Sequence, residues 1–63
     1  MCMSTLYMDV DGKLTRVLQQ VARLEAKDDG YVVSDLFGEE TFVQGRLVRL
    51  DFVDDNAIVI EPL

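Results

Sequence analysis

Histidine and tryptophan are both absent from this chain of 63 residues. The missing histidine excludes imidazole catalysis, imidazole metal ligation and the Ser-His-Asp and Cys-His pairs of nucleophilic enzymes. There is one cysteine, Cys2, so no intrachain disulfide can form, and a reducing, cytoplasmic setting is expected. Basic residues are scarce: six Lys+Arg stand against 12 Asp+Glu, for a net charge of −6. Nucleic-acid binding relies on Lys and Arg displacing counterions, so this balance argues against it, while remaining compatible with cations. Long apolar runs are missing too. Stretches such as Ala57 to Ile60 stop at four residues, where a membrane span needs about 20. The opening residues Met1 to Thr5 hold neither a basic region nor a long apolar stretch, so no signal peptide is expected.

What the chain does contain is apolar. Hydrophobic residues make up 49% of it, too many for a disordered acidic tail. The length suits one domain over residues 1–63. A domain this small buries only about 60% of its unfolded surface, and such folds often need a staple, a metal or a second subunit. With no disulfide available, a homodimer is the expected solution.

Turn signals recur along the chain: Asp11-Gly12, Asp28-Asp29-Gly30, Gly38 before Glu39-Glu40, Gly45, and Asp54-Asp55-Asn56. Such clusters supply the positive φ of tight hairpins, and a spacing of about 8–12 residues predicts an all-β barrel or sandwich. The intervening segments read as strands. Met3 to Val10 places Leu6 and Met8 on one face; Tyr31 to Phe37 is rich in aromatic and β-branched residues; Thr41 to Gln44 is a short candidate. Arg46 to Val53 puts Val48, Leu50 and Phe52 together, with Arg49, Asp51 and Val53 opposite; in Ala57 to Glu61, Ile58 and Ile60 share a face. Residues 14–27 read two ways. Leu14, Val17, Leu18, Val21 and Leu24 fit a helical stripe, whereas Lys13 to Leu18 and Val21 to Lys27 also read as two short strands, the second with Ala22, Leu24 and Ala26 inward.

The order of features resembles the CooT family of small proteins. The residues that carry the likeness are Met1-Cys2-Met3, the Asp11-Gly12 turn, Val21-Ala22-Arg23-Leu24-Glu25, Asp35-Leu36-Phe37-Gly38-Glu39-Glu40, Val43-Gln44-Gly45-Arg46 and the closing Ile58-Val59-Ile60-Glu61. The resemblance implies a homodimeric, SH3-like antiparallel barrel of about seven strands, which would make residues 14–27 strands. It also implies nickel bound through the cysteine beside the first methionine, here Cys2, and a nickel chaperone's part in maturing a nickel enzyme, carbon monoxide dehydrogenase. Other relatives carry the label of predicted RNA-binding proteins.

Cys2 suits this chemistry on its own terms. A thiolate is a soft ligand for Ni(II), Cu(I) or Zn(II), and four-coordinate Ni(II) with nitrogen and sulfur donors tends to be square planar. If Met1 is removed, the Cys2 amine and thiolate chelate; if it stays, the Met1 amine and Cys2 amide serve. Two Cys2 residues of a dimer then offer two sulfurs and two nitrogens to one ion. The plain alternative is a free thiol packed as a small apolar residue. A Cys2–Cys2 disulfide between subunits is a third possibility. Met3 and Met8 stand near Cys2 in sequence and read as core packing rather than thioether ligands. Asp9-Val10-Asp11-Gly12 lacks the remaining ligands of a calcium loop. Glu39 and Glu40 would point to opposite faces of a strand, so they read as a charged turn, as do Asp28-Asp29 and Asp54-Asp55. Catalysis is not expected, because no nucleophile and base can be paired. The other functional reading is a small RNA-binding or adaptor barrel, but Arg16, Arg23, Arg46 and Arg49 are scattered among acids, with Arg46 and Arg49 on opposite strand faces, and form no basic stripe.

Overall fold

The computed structural model describes residues 4–63, and every element in it is a strand. The strands are β1 (Ser4–Val10), β2 (Lys13–Ala26), β3 (Gly30–Asp35), β4 (Glu40–Gln44), β5 (Arg46–Asp51) and β6 (Ala57–Glu61). They form one six-stranded sheet in the order β4-β3-β2-β1-β6-β5. Among the described residues, no helix is long and apolar enough to cross a membrane.

The first hairpin follows directly from its turn. Asp11 and Gly12 have φ of 55° and 81°, the left-handed pair of a type I′ turn, and Val10 stands opposite Lys13. From there β2 runs on for 14 residues with three irregularities. Extra residues fall at Val17, within Gln19-Gln20 and at Ala22, where its register against β1 and then β3 shifts. Gln20 takes a φ of 58° at the middle one. Such bulges bend and twist a strand, and here they let one strand serve β1 with its first half and β3 with its second. They also account for the helical stripe in the sequence. Leu18, Val21 and Leu24 all pack on the core, yet lie three residues apart because an extra residue separates each from the next. Leu14 and Val17, the rest of the stripe, are exposed. Residues 14–27 are therefore not a helix, and the two expected strand pieces are one strand. Seven expected strands become six. In the second piece Ala22 and Ala26 are exposed rather than inward.

The expected closed, wholly antiparallel barrel is likewise corrected: the sheet is mixed and open. β6 runs parallel to β1, with Thr5 to Met8 facing Ala57 to Ile60. The cause lies at Gly45, the one residue between β4 and β5. It reads as a hairpin signal but makes a bend without strand pairing, so the chain passes from one edge strand to the other without reversing. One missing reversal turns β6 parallel to β1. Gly45 has a φ of 155°, and a Cβ there would collide with the Glu61 carbonyl oxygen and lie 2.7 Å from Ile60 Cγ2, so only glycine lets the corner lie on β6. The corner is tied by the Gly45 N–H, which donates to the Asp29 carbonyl at 3.1 Å, and by Gln44 Nε2, which donates to Asp29 Oδ2 at 2.9 Å. The two edge strands thus meet at one corner and form no ladder, and the sheet is not closed.

The core consists of Leu6, Val21, Val33, Val43, Ile58 and Ile60, with Met8, Leu18, Leu24, Tyr31 and Leu47 packed against it. All four residues of Ala57 to Ile60 are buried, as expected of a strand with neighbours on both sides and a continuous apolar run. In β5 the inward residue is Leu47. An extra residue at Val48 shifts the register against β6 and breaks the expected core face: Val48 is left unpaired and exposed, while Leu50 stands opposite Ile58 on the side of Leu47 and, like Phe52, stays half exposed.

Candidate functional site

The one residue singled out as a metal ligand, Cys2, lies with Met1 and Met3 outside the described residues. What the structure supplies is the frame from which that segment departs. Ser4, the first residue of β1, is buried and stands opposite Val21 of β2. The Thr5 N–H donates to the Asn56 carbonyl at 2.9 Å, so the start of β1 is held between β2 and the segment joining β5 to β6.

Beside Ser4 runs a groove of about 350 Å³ between β2 and β5. Its walls are Val21, Leu24, Leu50, Phe52 and Ile58, and the charged side chain among its lining residues is Arg23. Leu50 and Phe52 stand half exposed at its rim, and the neighbouring Val53 is 90% exposed.

The β5–β6 connection is built on Asp51. Its Oδ1 accepts the N–H groups of Val53 and Asp54, each at 3.0 Å, while Arg49 Nη1 lies 3.4 Å from Oδ2 of both Asp51 and Asp55. The N–H of Asp54, then that of Val53, hold the Asp51 carboxyl below the ordinary carboxylate range; desolvation opposes them, and the Asp55 N–H and the Arg49 charge add to the lowering. Asp54-Asp55-Asn56 is thus a turn cemented by the carboxylate of Asp51, three residues before it. That role was legible only as a generic turn signal.

The remaining acids do not converge. Among the described residues, no group of three or more His, Cys, Asp or Glu is placed to hold a metal ion. Asp11 is itself a residue of the first hairpin turn and Asp9 pairs with Leu14 beside it, and Asp29 serves the Gly45 corner. Met8 is half buried against the core. Glu39 and Glu40 follow a turn that Asp35 organises: its Oδ1 accepts the N–H groups of Phe37 and Glu39, each at 2.9 Å. The cations form no stripe. Register against Glu61 and Val59 places Arg46 and Arg49 on the same face of β5, a correction that follows from the extra residue at Val48. Both are paired, Arg46 with Glu61 at 2.6 Å and Arg49 with its two aspartates.

Cys2, the sole cysteine, stands in the sequence before Ser4, and the comparison with known families covers that part. The model of the family described as CO dehydrogenase accessory protein CooT matches residues 1–61, Cys2 included. The chain belongs to the CooT family. A crystal structure of a protein assigned as CooT from Carboxydothermus hydrogenoformans has the same fold, with a TM-score of 0.88 at 22% identity over 98% of each chain. No curated protein matches the sequence. Membership of the CooT family gives the chain an accessory role toward CO dehydrogenase; it is not an enzyme.

Proposed function

We propose that this chain is a cytoplasmic, homodimeric nickel(II)-binding protein that captures the ion at Cys2 and delivers it during maturation of a nickel enzyme, CO dehydrogenase. The observation that carries this reading is that the CooT family match includes Cys2, the sole cysteine of a chain without histidine. The donor chemistry fits. A thiolate and a neighbouring main-chain nitrogen from each of two chains make the S₂N₂ set that square-planar Ni(II) favours. The described acids offer the ion no competing cluster. A reducing compartment keeps the lone thiol available for metal.

The frame supports a paired arrangement. The groove beside Ser4 and the exposed Leu50, Phe52 and Val53 give apolar surface next to the strand from which Cys2 departs. A second copy seated there brings two such strand starts together around one ion. Ligand thiols must lose a proton to bind, so capture weakens as pH falls.

Calorimetric titration of the chain with Ni(II) tests the reading. The native chain is expected to bind one ion per two chains, and Cys2→Ser to lose that binding. Equal affinity in the variant rejects Cys2 as the ligand.

A further inference from the structure

The turn between β3 and β4 presents Leu36 and Phe37 to solvent, 54% and 78% exposed. These side chains are not on a loose loop. Besides the two bonds to Asp35 Oδ1, the Asp35 N–H donates to the Glu39 carbonyl at 2.9 Å, the Gly38 N–H to the Asp35 carbonyl at 3.2 Å, and the Leu36 N–H to the Gln20 carbonyl at 3.0 Å. The last bond reaches the bulge of β2, so the tip is fastened to the sheet as well as to itself. Nothing in the core needs this tip, because neither side chain packs with the buried cluster.

Charge surrounds it. Asp35, Glu39 and Glu40 flank the two apolar residues, and none of the ion pairs among the described residues uses them. A fixed aromatic anchor inside an acidic rim has one complementary surface: an apolar pocket edged by Lys and Arg. A rigid aromatic loses little entropy when it docks, and such anchors dominate interface energetics. The flanking charges steer encounter and fix orientation.

We propose that the Leu36–Phe37 tip is the docking anchor by which the chain engages its client enzyme, inserting Phe37 into a basic-rimmed apolar pocket on that protein. This rests on the reading of the chain as a delivery protein and names the surface delivery uses, at a place separate from the nickel ligand.

The test measures binding of the full-length nickel-loaded chain to purified nickel-free CO dehydrogenase by biolayer interferometry. Phe37→Ser is expected to weaken binding about 30-fold, the scale of a hot-spot residue. The Glu39→Gln, Glu40→Gln double variant is expected to slow association and flatten its salt dependence. The exposure of Phe37 predicts that the variants keep the native far-ultraviolet spectrum, and calorimetry on Phe37→Ser must show unchanged nickel binding. Unchanged enzyme affinity in Phe37→Ser overturns the docking inference and leaves the nickel reading standing. A change in oligomeric mass in Phe37→Ser overturns it too, because the tip's occupant is then a second copy. Failure of the native chain to bind the enzyme overturns both docking and delivery, while nickel capture is judged by the calorimetry alone.

Discussion

Replacing Gly45 by alanine tests the corner that sets the sheet's topology. The backbone there has a φ of 155°, a region that side chains avoid, at a cost of about 1–3 kcal/mol. The new Cβ also meets the Glu61 carbonyl oxygen, Ile60 Cγ2 at 2.7 Å and the Glu61 carbonyl carbon at 3.2 Å. The first and last are backbone atoms of β6, which β1 and β5 hold on both sides, so relief requires a shift of the strand. Overpacking of this kind adds about 1–3 kcal/mol. The sum, about 2–6 kcal/mol, compares with a total stability of about 3–9 kcal/mol for a chain of this length at ~0.05–0.15 kcal/mol per residue. Gly12 supplies the control: its φ is 81°, but a Cβ there meets nothing within 4 Å, so Gly12→Ala costs only the left-handed strain of about 1–2 kcal/mol. Urea unfolding at one fixed chain concentration, followed by far-ultraviolet circular dichroism, reads both. Gly45→Ala is expected to lose at least about 1 kcal/mol more than Gly12→Ala, and its midpoint of thermal unfolding to fall further by about 4–8 °C for each such kcal/mol. Equal losses would refute the corner as a close contact with β6.

Leu6→Ala empties a fully buried site at the centre of the core and is expected to cost about 2–5 kcal/mol, leaving much of the chain unfolded at 37 °C by differential scanning calorimetry. Asp51 gives a pH dependence with a definite sign. Its folded carboxyl sits below the ordinary range, so its stabilising effect is present above the unfolded pKa of about 3.9 and is lost as pH falls through the folded value. Acid unfolding of Asp51→Asn is therefore expected to show a shallower decline below about pH 4 than the native chain. Nickel affinity, read by calorimetry, is expected to weaken as pH is lowered, because protons compete with the ion for the Cys2 thiolate.

The local features of the fold were readable because local chemistry sets them. Asp11-Gly12 is a type I′ turn, Leu6 and Ile60 are core residues on the expected faces, and Asp54-Asp55-Asn56 marks a reversal. Face assignments failed wherever a bulge changed the count. A period of two predicts faces only in an unbroken strand, and extra residues at Val17, Gln19-Gln20, Ala22 and Val48 break it. Three of those lie in β2, where they gave a strand the spacing of a helix. The parallel β1–β6 pair and the open sheet were hidden for a different reason: both depend on whether the chain reverses at Gly45, and a lone glycine marks a bend and a hairpin equally well. Of the site, composition singled out Cys2, and its place lies outside the described residues. The roles of Asp35 and Asp51 as turn anchors rest on backbone N–H groups, which no residue pattern distinguishes from an ordinary acidic turn.

Native mass spectrometry with one equivalent of Ni(II) per two chains tests nickel capture at Cys2 most directly, because it reports assembly and metal content in a single spectrum. The expected species is two chains with one nickel ion for the native sequence, and metal-free chains for Cys2→Ser. A native chain that retains no nickel, or a Cys2→Ser chain that retains as much, would contradict it.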